Sequence, residues 1–370
     1  MKVTFVAPLL AIGILVGSLR PGLFTQGFGY ATLWIFLPAL LFDAAWELDW
    51  ALALRLWKPI VLLAVPGVAV TAAVIAAAIH FAGQLPWAPA LLLGSILSAT
   101  DPIAVVALFR TLGVPAGLLT IVECESLLND AIAVVLYRIL LVGAVSATAI
   151  SASPPILGLL GLFGSVAGIA TGFAIAYPFA QLLSRRIGIP GQAIATFAGA
   201  YGAYYAAEHV GFSGIFAVIA FGAALQRFER KRLSPGAMRS VGRAWRWAVV
   251  GANAALFFLI GSAVDVTRLL REPRLLLVTL GAVALARILA THVLLGAAVR
   301  PALPPGWLPA IRLAGVRGAL ALALGIALPA SVPFRGAIVD AIFCVVVVTI
   351  VGSALTLKTR LRRLGLFAGE

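Results

Sequence analysis

The chain has 370 residues, 62% of them hydrophobic and 11% charged, and its mean hydropathy is +1.10. A soluble domain carries roughly 25% charged residues, so the composition excludes a soluble enzyme or binding module and describes a polytopic membrane protein. The formal net charge of +14 does not point to nucleic acid, because the sequence holds no soluble basic domain to bind it; it reads as the basic loops of a membrane protein.

Twelve apolar segments are expected, each able to cross about 30 Å of hydrocarbon with some tilt. Their approximate limits are 3–19, 28–46, 58–80, 87–109, 115–143, 155–183, 190–207, 211–226, 245–264, 274–299, 307–330 and 336–357. The first lacks a basic leader and a small-residue exit, so it reads as a span and not as a cleaved signal. The second contains an isolated acid, Asp43. The fourth is interrupted at Ala99-Thr100-Asp101-Pro102, and the fifth carries Glu123 and Glu125-Ser126-Leu127-Leu128-Asn129-Asp130. The sixth is glycine-rich (Gly158, Gly161, Gly164, Gly168, Gly172), which allows close helix packing. In the seventh, Tyr201, Tyr204 and Tyr205 read as an aromatic belt. The tenth holds Arg287 and the eleventh is broken at Gly315-Val316-Arg317-Gly318. Asp265 and Asp340 fall at span ends and are expected to be solvated. Short connections carry Pro or Gly; the longest polar stretch, 227–246, reads as a basic anchor beside anionic lipid. Cys124 and Cys344 read as buried core residues, and His80, His209 and His292 form no metal-ligand pattern.

Most of the 27 Lys and Arg fall on one side if Met1 is cytoplasmic and the spans alternate, which places both termini inside. Arg268, Arg271 and Arg274 are the exception, and Arg138, Arg287 and Arg317 lie within spans. The fourth and eleventh spans occupy matching places in the halves 1–185 and 186–370. That suggests two inverted six-helix repeats with broken helices crossing near the midplane.

Ionisable groups at membrane depth are costly and mark sites. Pro102 cannot donate a backbone hydrogen bond, so the carbonyls near Thr100 are freed, which is tolerable only inside protein or against a cavity. Those carbonyls, the threonine hydroxyl and the Asp101 carboxylate are hard oxygens, suited to Na⁺ or a similar ion. On the fifth span, Glu125 and Asn129 share one face, and Ser126 and Asp130 share another about 100° round. Asp130 with Ser126 can face Asp101 and complete an oxygen cage. Buried charges pair, and the economical arrangement gives one of Arg287 and Arg317 to Glu125 and the other to Asp43.

At these residues the chain resembles the monovalent cation:proton antiporter-1 family, the sodium/proton exchangers. The resemblance rests on Ala99–Pro102, Glu125–Ala131 and Gly315–Ala319 in order and spacing, with Leu37–Ala44, Gly211–Ile215 and Phe257–Gly261 in support. It implies an all-α antiporter fold of about twelve helices, with Asp101 and Asp130 as the ion- and proton-binding carboxylates. Ser126 and the Thr100 backbone would add oxygens to the ion. Glu125 and Asn129 would meet Arg287, and Asp43 would meet Arg317. The Asn129-Asp130 pair is of the type that goes with electroneutral exchange, and the family is homodimeric. Cys124 stands where the family usually has glycine, and Asp43-Ala44-Ala45-Trp46 replaces a more usual acid-Ala-Gly run. One membrane domain over 1–370 is expected, without a soluble regulatory domain.

The reading is a secondary antiporter, not an enzyme, exchanging Na⁺ (or Li⁺ or K⁺) for H⁺ in a bacterial inner membrane, with no cofactor. Its partners are the cation, protons, membrane lipid and a second copy of the chain. A cation channel and an organic-anion transporter are the alternatives. An intramembrane aspartyl protease is disfavoured, since no Tyr-Asp or Gly-x-Gly-Asp setting flanks either aspartate.

Overall fold

In hydrocarbon every backbone polar group must be satisfied internally, and this Ala-, Leu- and Val-rich chain answers with helix. A computed structural model describes residues 6–20, 25–101, 103–145, 154–184, 188–229, 235–265, 267, 269, 272–297, 299 and 303–366. Among these residues there is no strand. In chain order the helices are α1 (Val6–Leu19), α2 (Thr25–Glu47), α3 (Trp50–Arg55), α4 (Trp57–Ala64), α5 (Pro66–Phe81), α6 (Trp87–Ser98), α7 (Ile103–Leu112) and α8 (Ala116–Val145). They continue as α9 (Pro154–Ser184), α10 (Ile189–His209), α11 (Gly214–Glu229), α12 (Pro235–Ala263) and α13 (Pro273–Thr291), which runs on as a π-helical turn over His292–Ala297. The last are α14 (Trp307–Leu313), α15 (Ala319–Ala327) and α16 (Arg335–Arg363). Each of the twelve apolar segments is occupied by helix. Two are broken by unwound segments, α6 from α7 and α14 from α15; a third is divided at Val65, where α4 and α5 abut, and α3 is an addition that hydropathy does not mark. Five continuous stretches are long and apolar enough to cross a membrane alone: 57–81, 158–183, 238–263, 273–296 and 335–363. Arg268 and Arg271 lie outside the described residues, as do Lys2 and much of the basic loop (Arg230, Lys231 and Arg232).

The chain forms two compact units. The first comprises 1–32, 51–149 and 254–370, and the second 33–50 and 150–253. In the first, α5 packs on α6 so closely that a Cβ at Gly94 would overlap the Ala72 carbonyl. α1 approaches the C-terminal part of α12 in the same way: a Cβ on Gly13 would overlap the Phe258 carbonyl, and one on Gly17 that of Ser262. Without water to drive association, such backbone approach supplies the packing contacts between helices. Asp340 is buried, contrary to the solvation expected for it, and its Oδ1 accepts the Asp265 amide at 3.3 Å.

In the second unit α9 lies on α11, where Cβ atoms at Gly168 and Gly172 would overlap the Ser213 and Ala217 carbonyls. Gly158 has open space around it, so the glycine run is not one continuous seam. Trp245 is fully buried between Phe197 (3.8 Å) and Phe42 (4.2 Å), and its indole N–H donates to Thr196 Oγ1 at 2.9 Å. Gln226 Nε2 donates to the carbonyls of Trp46 and Leu48, both at 2.7 Å, at the end of α2. Pro38 lies inside α2 and leaves the carbonyl four residues back without its helical donor. The Tyr205 hydroxyl donates to that Trp34 carbonyl at 3.2 Å, and the Tyr201 hydroxyl to Ile35 O at 2.6 Å. Tyr205 thus supplies the donor that Pro38 lacks and Tyr201 bonds the next carbonyl, beyond the interfacial belt the sequence suggests.

Candidate ion and proton site

The site, within the first unit, is built where the two broken helices meet. α6 ends at Ser98, and Ala99 leaves helical geometry at φ −60°, ψ 139°. Asp101 precedes a proline, a position disfavoured for helix; Pro102 itself, to which the sequence ascribes the break, lies outside the described residues. The second break runs from Ala314 to Gly318. The Asp101 amide donates to Val316 O at 2.7 Å, so the two unwound segments hydrogen-bond directly.

Each segment then caps a helix of the other. The Asp101 carboxylate accepts the Ala319 amide at 3.2 Å, at the N-terminus of α15. Arg317 Nη1 donates to Ser98 O and Ala99 O, each at 2.8 Å, at the C-terminus of α6. A helix N-terminus presents unpaired donors and partial positive charge, and a C-terminus the reverse. An anion and a cation therefore stand where the backbone needs them. Gly318 makes this possible, because a Cβ there would overlap the Asp101 carboxylate. The Arg317 amide donates to Thr349 Oγ1 at 3.2 Å, which ties the segment to α16.

α8 supplies the other wall. Ser126 Oγ donates to Thr100 O at 2.5 Å. Asn129 Nδ2 donates to Thr100 Oγ1 at 3.1 Å and to Glu125 Oε1 at 3.3 Å. Glu125 accepts both guanidinium arms of Arg287, at 2.8 and 3.1 Å, and Arg287 Nη2 also donates to Ile311 O at 2.7 Å. This is a buried bidentate pair between α8 and α13. Thr100, Glu125, Ser126, Asn129, Arg287 and Arg317 are all buried, whereas Asp101 and Asp130 are half-buried. Oδ1 of Asp130 is itself buried and has no hydrogen-bond partner among the described residues. The charges acting on Asp130 are Asp101 and Glu125, of like sign, and Arg317, of opposite sign.

The fold thus brings together Thr100, Asp101, Ser126 and Asp130, with Asn129, Glu125 and Arg287 behind them. Asp43 lies on α2 in the second unit. Chemically, two partly accessible carboxylates with the remaining lone pairs of Thr100 and Ser126 form a set of hard oxygens. Sequence reasoning does not find the carbonyl partners of Arg317, or Ile311 O and Thr349. The only signal for Thr349 is a hydroxyl in an apolar run, and a backbone carbonyl carries none.

Broken helices crossing at half-buried carboxylates in an all-helical membrane chain define an integral membrane protein of the antiporter fold. Residues 2–363 match the family described as sodium/hydrogen exchanger, transmembrane, and the chain belongs to that family. It is 32% identical over 341 residues to the Na(+)/H(+) antiporter ApNhaP of Aphanothece halophytica, covering 90% of this chain and 64% of that protein. It is likewise 32% identical over 356 residues to the low-affinity Na(+)/H(+) antiporter NhaS1 of a Synechocystis species, covering 91% and 65%. The chain therefore spans a little under two thirds of these relatives. The structure of the sodium proton antiporter MjNhaP1 from Methanocaldococcus jannaschii at pH 8 superposes with a TM-score of 0.80 at 20% identity, covering 97% of this chain and 92% of that one. The two share a fold.

Proposed function

We propose that this protein is a secondary active antiporter that exchanges Na⁺, or Li⁺ or K⁺, for H⁺. The observation that carries the reading is the crossing itself: Asp101 sits on the α15 N-terminus, opposite the oxygens of Thr100 and Ser126, within electrostatic reach of Asp130. A bare pair of carboxylates in a low-dielectric setting is costly, so the site holds either protons or a cation. One set of oxygens cannot hold both, so binding is competitive, and the neutralised site moves by alternating access. Exchange is electroneutral, with one cation for one proton. Glu125, Asn129, Arg287 and Arg317 brace the site and do not bind the cargo. The involvement of Arg287 with Glu125 and Ile311 O supports this against an organic-anion transporter, in which it would bind substrate. The protein works as a homodimer in a bacterial inner membrane, with both termini cytoplasmic, and its two halves are inverted repeats. The meeting of the fourth- and eleventh-span breaks supports the last point.

The test is dequenching of a pH dye in proteoliposomes with an imposed proton gradient, adding Na⁺, Li⁺ and K⁺ in turn. Cation-dependent proton movement lost in Asp130→Asn is the expected result. Exchange that survives in Asp130→Asn, or dye-independent cation conductance, sinks the proposal.

A further inference from the structure

Behind Thr100, within the first unit, is a small cavity whose lining includes Thr71, Ser98, Asn129, Arg287, Ala290 and Arg317, all buried. Neither Asp101 nor Asp130 lines it. Four buried polar atoms of these lining residues have no hydrogen-bond partner among the described residues: Asn129 Oδ1, Arg287 Nε, and Nε and Nη2 of Arg317. The orientation of the Asn129 amide is settled by its other contacts. The Glu125 carboxylate in its bidentate pair can only accept, so Nδ2 must face it and Oδ1 must face away.

The unsatisfied set is three donors and one acceptor. A cation would meet two guanidinium groups. A small anion would take the donors but face Asn129 Oδ1 and the Glu125 carboxylate, which shares the wall. A water molecule does both tasks, accepting from two of the three guanidinium N–H groups and donating to Oδ1, and the space holds about one. We propose that one resident water occupies this cavity and links Asn129 to the arginines. Its consequence is positional. With Oδ1 held, Nδ2 stays on Thr100 Oγ1, so the water fixes from behind the threonine whose carbonyl faces Ser126. Asn129 and Arg317 are then positioning residues acting through it, and α8 is joined to the 314–318 segment by a bridge that no side-chain hydrogen bond makes among the described residues.

The first test is an experimental structure of the full chain in lipid nanodiscs, at a resolution that shows ordered water. A density peak within hydrogen-bond distance of Asn129 Oδ1 and of Arg317 or Arg287 is expected. An intact but empty cavity, direct Arg317–Asn129 contact, or anomalous signal from a bromide-soaked anion at this place overturns the proposal. The second test compares Ala290→Leu, whose side chain fills the space, with Ala290→Ser, whose hydroxyl can stand in for the water. Ala290→Leu is expected to lower the thermal midpoint and raise KM for the cation several-fold with a smaller change in maximal rate. Ala290→Ser should retain both. Equal behaviour of the leucine variant and the parent overturns the role given to the water. The structural test does not depend on the proposed antiport: a water found in a protein without exchange activity sinks that reading and leaves this one standing.

Discussion

Gly318 has no side chain because the Asp101 carboxylate occupies the place one would take. The smallest possible addition therefore acts directly on the site. Gly318→Ala must push the carboxylate off the Ala319 amide, and most of the cation-dependent proton movement should be lost while the protein remains inserted and monodisperse. Exchange at the parental rate would show that this cap does not matter. Glu125 makes a different kind of prediction. Glu125→Gln leaves Arg287 buried without its counter-charge, a change that costs about 3–5 kcal/mol. Thermal unfolding in detergent should fall markedly for the single variant and recover in part when Arg287→Met is added. Additive losses in the double variant would refute the pairing argument, because the penalty lies in the orphaned charge and not in the absence of a bond.

Among the elements, α2 shows how a helix defect is repaired from outside. Pro38 removes one donor, and the Tyr205 hydroxyl of α10 replaces it at the Trp34 carbonyl, with Tyr201 bonding the adjacent Ile35 carbonyl. Tyr205→Phe should cost about 1 kcal/mol, the net worth of one hydrogen bond. In a Pro38→Ala background the helix recovers its own N–H donor to Trp34 O, and the same tyrosine change should cost less. Strict additivity in this double-mutant cycle would mean that the hydroxyl does not serve the proline gap. The two broken spans follow the same logic at larger cost, since each lacks several helical bonds at membrane depth. Their repair is reciprocal: Asp101 and Arg317 each cap a helix belonging to the other break. Neither break is tolerable without its partner, so the two spans are interdependent.

For the whole molecule the proposed orientation, with both termini cytoplasmic, rests on the charge distribution. Lys358 and Gln84 are both exposed and lie at opposite ends of the proposed alternation. With Cys124 and Cys344 each replaced by serine, Lys358→Cys should react with a membrane-impermeant maleimide only in inside-out vesicles. Gln84→Cys should react only in right-side-out ones. Labelling of both from one side would overturn the alternation and the cytoplasmic placement of the termini. Only 22% of an 18-residue window within the 158–183 stretch is buried, so much of its apolar surface is left uncovered by the described residues.

Membrane class, the helix in all twelve apolar segments and the interruption of the fourth and eleventh are legible in the amino-acid sequence. They follow from hydropathy, proline and glycine, which act over a turn or two of chain. The co-location of Glu125 with Asn129, and of Ser126 with Asp130, follows from the α-helical period alone. Partners distant in the chain are a different matter. Pairing of buried charges predicts a carboxylate for Arg317, yet its Nη1 takes two backbone carbonyls more than two hundred residues earlier in the chain. Asp340 reads as solvated and is buried; Tyr201 and Tyr205 read as an interface belt and bond α2 carbonyls beside Pro38. In each case the local pattern says that a polar group needs a partner. Which partner it finds depends on which helices cross, at what depth and how closely, and a carbonyl exposed by a distant break leaves no mark in the sequence. Local physics thus determined the elements and the inventory of charges, and only the tertiary packing decided which of those charges hold which broken ends.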